Sequence, residues 1–232
     1  MMDFFVREAR SIVDGQLAII RFGSCGSIGD AKVGDMIVQN GSFAVMRNYD
    51  YFSDDELSTT NGENPYIFTK IFRADPELTK KVESQLLKFL DKKEVITGLN
   101  ATCDSFYSSQ GRRDENFRDC NSDLLSTISS TYPETVSLEM ETFMLFHLAK
   151  SSTSAPLKDS DSDAVRDKDH GSIKAASAVM VFADRNNNEF ISPKRLNFLR
   201  DPAGKAMLEA LIEIELIKVH PDNEECVWNM KM

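Results

Sequence analysis

A chain of 232 residues has room for one sizeable domain with a deep core, and its 27 Lys plus Arg against 37 Asp plus Glu leave a formal net charge of −10. That balance excludes a partner gripped through a phosphate backbone, so no nucleic acid is expected, although one small anion in a local basic pocket stays compatible with it. Cys25, Cys103, Cys120 and Cys226 are far apart with no C-x-x-C pair and only three histidines to help them, which speaks against zinc and against a disulfide framework.

The opening "MMDFFVREARSIV" carries Asp3, Arg7, Glu8 and Arg10 among its apolar residues and lacks the uninterrupted core of a signal peptide. No stretch approaches the ~18 apolar residues of a membrane span, so a soluble cytoplasmic chain with no membrane partner is expected. Phe5, Ala9 and Ile12, with Met2, Val6 and Val13 beside them, predict a helix stopped at Asp14-Gly15. Leu17 to Phe22 is apolar except for Arg21 and reads as a strand buried on both faces. Gly34-Asp35 marks a turn between further strands in "KVGDMIVQNGSFAVM", and the polar residues 48–66 form a surface excursion.

Asp75-Pro76 reads as N-cap and first position of a helix with Leu78, Val82, Leu86 and Leu90 on one face. "EVITGLNATC" is a strand, Leu124, Leu125 and Ile128 a short helix, "METFMLFHLAK" a buried helix, "KAASAVMVFA" an inner strand, and "GKAMLEALIEIELIKV" a closing amphipathic helix. Residues 151–172, rich in Ser, Asp and Lys, bury too little to fold by themselves and read as a flexible insertion. Helices alternating with inner strands predict a single α/β domain over 1–232, a mixed central β-sheet flanked by helices.

Three glycines, Gly23, Gly26 and Gly29, follow the first strand at every third position. The dinucleotide fingerprint requires a different spacing and a helix directly after it, and the P-loop requires Gly-Lys-Ser/Thr, so neither applies. Two readings stay open: a tight strand connection, or a backbone that approaches inorganic phosphate with Ser24 and Arg21 alongside. Arg21 inside an apolar strand needs an anionic partner, since an unpaired buried charge is costly.

At the end of a later strand, Phe106, Gln110 and Arg112 combine an aromatic face, an amide that both donates and accepts, and a planar fork of donors. That set suits a planar heterocycle with carbonyls, or an ordinary polar loop. Glu139 and Glu141 flank Met140 ahead of the apolar helix, either as caps or as acceptors for the hydroxyls of a sugar packed on Met140. Asp184-Arg185 end another inner strand and could pair with each other, and His147 reads as a core histidine.

Together and in this order, "RFGSCGSIGDAKVGDMIV", "DSFYSSQGR", "LEMET" and "VFADR" resemble the nucleoside phosphorylase family, on its uridine phosphorylase side. The resemblance implies a mixed-sheet subunit assembled as homodimers within a hexamer. It implies a pentosyltransferase of pyrimidine salvage that phosphorolyses uridine to uracil and ribose 1-phosphate, with inorganic phosphate as co-substrate and no cofactor. It further implies that Arg21, Gly23 and Ser24 hold phosphate, that Glu139, Met140 and Glu141 engage ribose, and that Phe106 contacts the nucleoside. Gln110 and Arg112 would read uracil with Arg185 on the base side, and Arg21 and Arg112 would carry catalysis.

Ser24 stands where the family usually has threonine and Ser109 where it commonly has glycine, and the 151–172 insertion is longer than usual. The resemblance also implies that strands, a second phosphate loop and a histidine reaching a neighbouring ribose would precede Met1. The expected fold is therefore N-terminally incomplete, with an open sheet edge. A non-catalytic nucleoside-binding subunit of the same fold is the alternative.

Overall fold

The structure is a computed structural model and describes residues 1–13, 15–53, 64–152 and 172–216. After helix α1 (Met2–Ile12) come strands β1 (Leu17–Ser27), β2 (Met36–Arg47), β3 (Tyr66–Phe68) and β4 (Phe72–Arg73). Helix α2 (Pro76–Phe89), β5 (Val95–Cys103), α3 (Leu124–Thr131), β6 (Thr135–Glu139) and α4 (Thr142–Ser151) follow. The described chain ends with β7 (Ile173–Asp184), β8 (Glu189–Phe190) and α5 (Pro193–Glu213). The insertion expected at 151–172 lies almost wholly outside the described residues, as do His170, His220 and Cys226.

The eight strands form one mixed sheet in the order β3-β2-β5-β6-β1-β7-β8, with β4 also on β2. β1 runs parallel to β7, and β5 lies parallel to both β2 and β6. β1 and β6 are antiparallel. An antiparallel pairing of Met36–Val38 with Ala178–Met180 joins β2 to β7. The five strands β2, β5, β6, β1 and β7 thus close into a ring, in place of the open edge expected for them, and closure satisfies backbone groups that an edge would leave bare.

Helix α2 begins where its cap chemistry says it must. The Asp75 carboxylate accepts from Leu78 N at 2.8 Å, Pro76 fills the first turn, and Leu78, Val82 and Leu86 are fully buried. They meet Ala203, Ala206, Met207 and Ala210 of α5 and the outer side of β2 and β7. Helix α4 and Val6 of α1 cover Ile173 and Ala175, and α3 covers Phe43, Ala101 and Leu138.

Three local expectations change. Of α1 only Val6 is buried, whereas Phe5 is 58% and Ile12 83% exposed, so the predicted apolar face looks largely outward. Helix α5 starts at Pro193, capped by the Ser192 hydroxyl accepting from Arg195 N, and runs on through Pro202 instead of beginning near Gly204. Strand β6 was hidden in the sequence by its shortness and by the polar residues Thr135, Ser137 and Glu139. Ser137 and Glu139 are buried because they face the inside of the ring, and the Thr135 hydroxyl is bonded to Tyr132 O.

The ring interior is half apolar and half polar. Cys25, Ile37, Val179 and Val181 form one cluster. On the same faces of β2 and β7, Gln39 and Ser177 are fully buried and hydrogen-bonded to each other. Gln39 Nε2 also donates to Ser137 Oγ at 2.9 Å, a contact between strands that are not neighbours and can meet only across the interior.

Candidate active site

Strand β1 is longer than its apolar run, and Gly23 and Gly26 lie within it, not in a loop. Only Gly29 has the positive φ, +87°, that marks a turn. The two strand glycines make room for side chains. A Cβ on Gly23 would sit 3.0–3.1 Å from the guanidinium of Arg21, and one on Gly26 would sit 3.2 Å from Arg185 Cγ. Both arginines lie against β1 because these positions have no side chain.

Arg21 is nine-tenths buried and meets two carboxylates: its Nη2 lies 3.1 Å from Glu139 Oε2 and is also paired with Glu141 Oε2. The partner demanded by its burial is thus supplied from within the chain. Arg21 Nη1, also buried, has no hydrogen-bond partner, leaving one donor group of the fork uncommitted.

Glu139 and Glu141, two residues apart, do different things. Glu139 is 5% exposed, and its carboxylate accepts from Asn100 Nδ2, from Thr102 Oγ1, from Glu141 N at 2.7 Å and from Thr142 N at 3.1 Å. It therefore caps the start of α4, where the first amides of a helix are otherwise unpaired. The side chain of Glu141 is 41% exposed and, among the described residues, pairs with Arg21 alone. Met140 between them is 39% exposed.

On the other side, the turn after β5 is built around Gly111 at φ +65°, which lets Gln110 and Arg112 point to the same place. Arg112 lies over the Phe106 ring with its guanidinium carbon 3.8 Å from the centroid, and it donates to Gln110 Oε1 and to Phe106 O, each at 2.5 Å. Arg185 Nη2 donates to Gln110 O at 2.9 Å, while its buried Nη1 is unpartnered. Among the described residues no carboxylate pairs with Arg112 or Arg185. Burial, and then the charge of Arg185, pull the pKa of Arg112 down to about 10, which leaves it charged at neutral pH. Burial likewise lowers that of Arg185.

One cleft of about 670 Å³ is lined by Arg21, Gly23, Ser24, Phe106, Gln110, Arg112, Glu139, Met140 and Glu141. Three separated segments, picked out one at a time by sequence, are brought together here. Arg185 does not line the cleft but lies behind it, against Gly26 and hydrogen-bonded to Gln110 O. Ser109, fully buried, donates to Asp104 and anchors the base of the turn. Asp184 does not pair with Arg185: it accepts from Asn186 N and Asn187 Nδ2 and holds the turn that follows. His147 stacks on Phe143 away from the cleft.

The sequence did not single out Met2, Phe22, Phe182 and Phe190, which add apolar walls. The polar residues Gln39, Ser42, Asn100, Thr102, Ser137 and Ser177 behind Glu139 were also missed. Their signal was present, since Asn100 and Thr102, and Ser137 and Glu139, recur at the strand period of two.

Two cavities elsewhere, a larger one of about 840 Å³ around Arg47, Tyr107 and Phe117 and a slightly smaller one of about 630 Å³ around Tyr66 and Leu124, gather less chemistry. No group of three or more metal-ligating side chains occurs among the described residues, and no described helix is long and apolar enough to cross a membrane.

The family model of the phosphorylase superfamily matches residues 1–154. Among solved structures, the chain is similar to a uridine phosphorylase from the oomycete Phytophthora capsici at 32% identity and a TM-score of 0.77, over 93% of this chain and 72% of that one. It is similar in fold to a Trypanosoma brucei nucleoside phosphorylase that shows uridine phosphorylase activity, at 20% identity and a TM-score of 0.61 over 88% and 66% of the two chains. Isoform 2 of the uridine phosphorylase from Schistosoma mansoni is a further fold neighbour, at 12% identity and a TM-score of 0.58 over 90% and 65%. No curated protein sequence matches.

Proposed function

This chain belongs to the phosphorylase superfamily, and on that premise we propose that it cleaves uridine with inorganic phosphate to give uracil and ribose 1-phosphate. The observation that carries the reading is the opposition of two unlike ends in one cleft. At one end Arg21 keeps a buried, unpartnered Nη1 beside the exposed Ser24; at the other Arg112, with Arg185 behind it on Gln110, carries positive charge that no described carboxylate neutralises. The first end suits an oxyanion, and the second suits a base that gains negative charge as it leaves.

In this reaction phosphate, held by Arg21 and Ser24 over Gly23, attacks the anomeric carbon while the glycosidic bond stretches. A phosphate oxygen forms the new bond to that carbon, and the bonding pair of the C–N bond moves into the ring of uracil. Arg112 and Gln110 meet that growing charge, with Phe106 against the base and Arg185 fixing Gln110. Glu141 accepts from the ribose hydroxyls next to Met140, and Glu139 holds the strand-to-helix corner that presents them. Held phosphate supplies proximity and the preorganised guanidinium supplies electrostatic stabilisation, so the residues need no cofactor for this chemistry. Work in the cytoplasm on pyrimidine salvage, and assembly into dimers or a hexamer, belong to the same proposal.

A binding protein without turnover is the second reading, favoured by Arg21 Nη2, which already spans Glu139 and Glu141. The test is uracil release from uridine by the purified chain with and without phosphate. Release that requires phosphate supports the proposal, and uridine binding with no release under either condition supports the second reading.

A further inference from the structure

We propose that Asn100 is a positioning residue for this site: from inside the strand ring it fixes the Glu139 carboxylate, and through it Arg21 and the start of α4. The inference rests on the phosphorolytic reading and extends it to a residue that does not itself line the cleft.

Asn100 on β5 is fully buried and fully engaged. Its Nδ2 lies 2.5 Å from Glu139 Oε1 and 3.0 Å from both Ser42 Oγ and Thr102 Oγ1, while its Oδ1 accepts from Ser137 Oγ at 2.8 Å. Ser137 in turn accepts from Gln39, whose Oε1 accepts from Thr142 Oγ1 and Ser177 Oγ. A carboxylate can only accept, so the amide must turn its NH2 toward Glu139, and the rest of the network fixes which way the amide faces.

Oε1 of Glu139 accepts from Asn100, Thr102 and Thr142 N, and Oε2 faces Glu141 N, Thr142 N and Arg21. No acceptor direction is left for a ligand, so Glu139 acts by holding other groups. Asn100 and Thr102 are the side chains that hold Oε1 from within the ring. The charged and titratable groups facing this point are Arg21 and Cys25 on β1, Glu139 on β6 and Glu141 at the entry to α4, while Cys103 on β5 lies close by on the opposite face of its strand with Ala101. Strands β2 and β7 present only neutral Gln39, Ser42 and Ser177.

Asn100→Asp gives a discriminating test. Aspartic acid donates to Glu139 only while protonated, and once ionised it sets two carboxylates against each other, so its own proton is held well above the ordinary Asp range near ~4. Affinity for inorganic phosphate by calorimetry, and kcat and KM for uridine, are measured on the purified chain at pH 5.5 and pH 8 and expressed relative to wild type. The expected result is Asn100→Asp within about threefold of wild type at the lower pH and at least tenfold weaker at the higher one. Asn100→Thr, which keeps a donor on a strand-favouring residue, should stay near wild type at both.

A ratio that does not change with pH overturns the inference. If Asn100→Asp fails to fold, Asn100→Thr is compared with Asn100→Val, which has nearly the same shape without the hydroxyl. A tenfold gap in phosphate affinity supports the inference and equal values overturn it. Wild-type protein that binds phosphate without splitting uridine sinks the functional reading alone, because the Asn100 variants are still read by phosphate affinity. Wild-type protein that binds no phosphate removes both.

Discussion

The guanidinium of Arg21 lies across Gly23, two residues on along the same strand, at 3.0–3.1 Å from where a Cβ would stand. Gly23→Ala should leave the strand intact, since alanine suits a strand as well as glycine does and the clash is with the movable end of a side chain. The guanidinium must give by a few tenths of an ångström, which loosens its contacts with Glu139 and Glu141. About a tenfold loss of phosphate affinity, about 1.4 kcal/mol, is expected with little change in melting temperature. Unchanged affinity would show that the position of Arg21 over Gly23 does not matter to anion binding.

Arg112→Ala removes at once the charge over Phe106 and the partner of Gln110. A donor aimed at charge that develops only in the transition state is worth about 10²–10³ in kcat. The loss should appear mainly in kcat, with phosphate affinity retained. Asp184→Ala should cost stability, with a far smaller loss of turnover. Equal small losses in both variants would mean that the base end of the cleft lies elsewhere.

Burial alone would raise the Asp184 carboxyl, but hydrogen bonds from the Asn187 side chain and from Asn186 N and Asn187 N hold it below its usual value. A carboxylate whose pKa is lowered by folding stabilises the native state above its unfolded pKa of ~3.9, and that contribution disappears as pH falls through the lower native value. Asp184→Asn should therefore melt below wild type at pH 7, with the gap narrowing toward pH 3. A constant gap would mean that shape alone, and not charge, holds this turn.

Gly98 on β5 faces Val136: an added Cβ would come within 2.6 Å of Val136 Cγ2 and 3.0 Å of Glu134 O. Backbone cannot yield as a side chain can, so Gly98→Ala should destabilise by about 1–3 kcal/mol in denaturant unfolding. Val136→Ala in the same chain should recover part of this. Full stability of Gly98→Ala would show that β5 and β6 separate more readily than their register suggests.

Much of this architecture could be read from residues that act locally. Asp75 and Pro76 announce a helix because capping is a matter of three or four consecutive residues, and β7 announces itself through an unbroken small and apolar run. The cleft was legible in pieces for a related reason: Arg21, Gln110, Arg112 and Glu141 are polar residues at the ends of buried elements, where polarity needs a purpose. Pairings across the ring were not legible. Nothing near Arg21 in the chain says that Glu139 and Glu141 neutralise it, and nothing near Asn100 says that it meets Glu139 across the β5–β6 pairing. Helix α1 misled because spacing shows which residues share a face, whereas contact with α4 decides which of them is covered, and that is Val6.

The pairing of Met36–Val38 with Ala178–Met180 that closes the ring joins segments roughly 140 residues apart in sequence. Loop closure on that scale forfeits chain entropy before it is rewarded by contacts, and such topologies fold slowly. Gln39 follows this seam on β2 and Ser177 precedes it on β7, so the hydrogen-bonded interior that carries Asn100 and Glu139 is completed only when the two ends of the barrel meet. Ligand affinity accordingly reports on the last stage of folding, and secondary structure regained earlier in refolding should come without it.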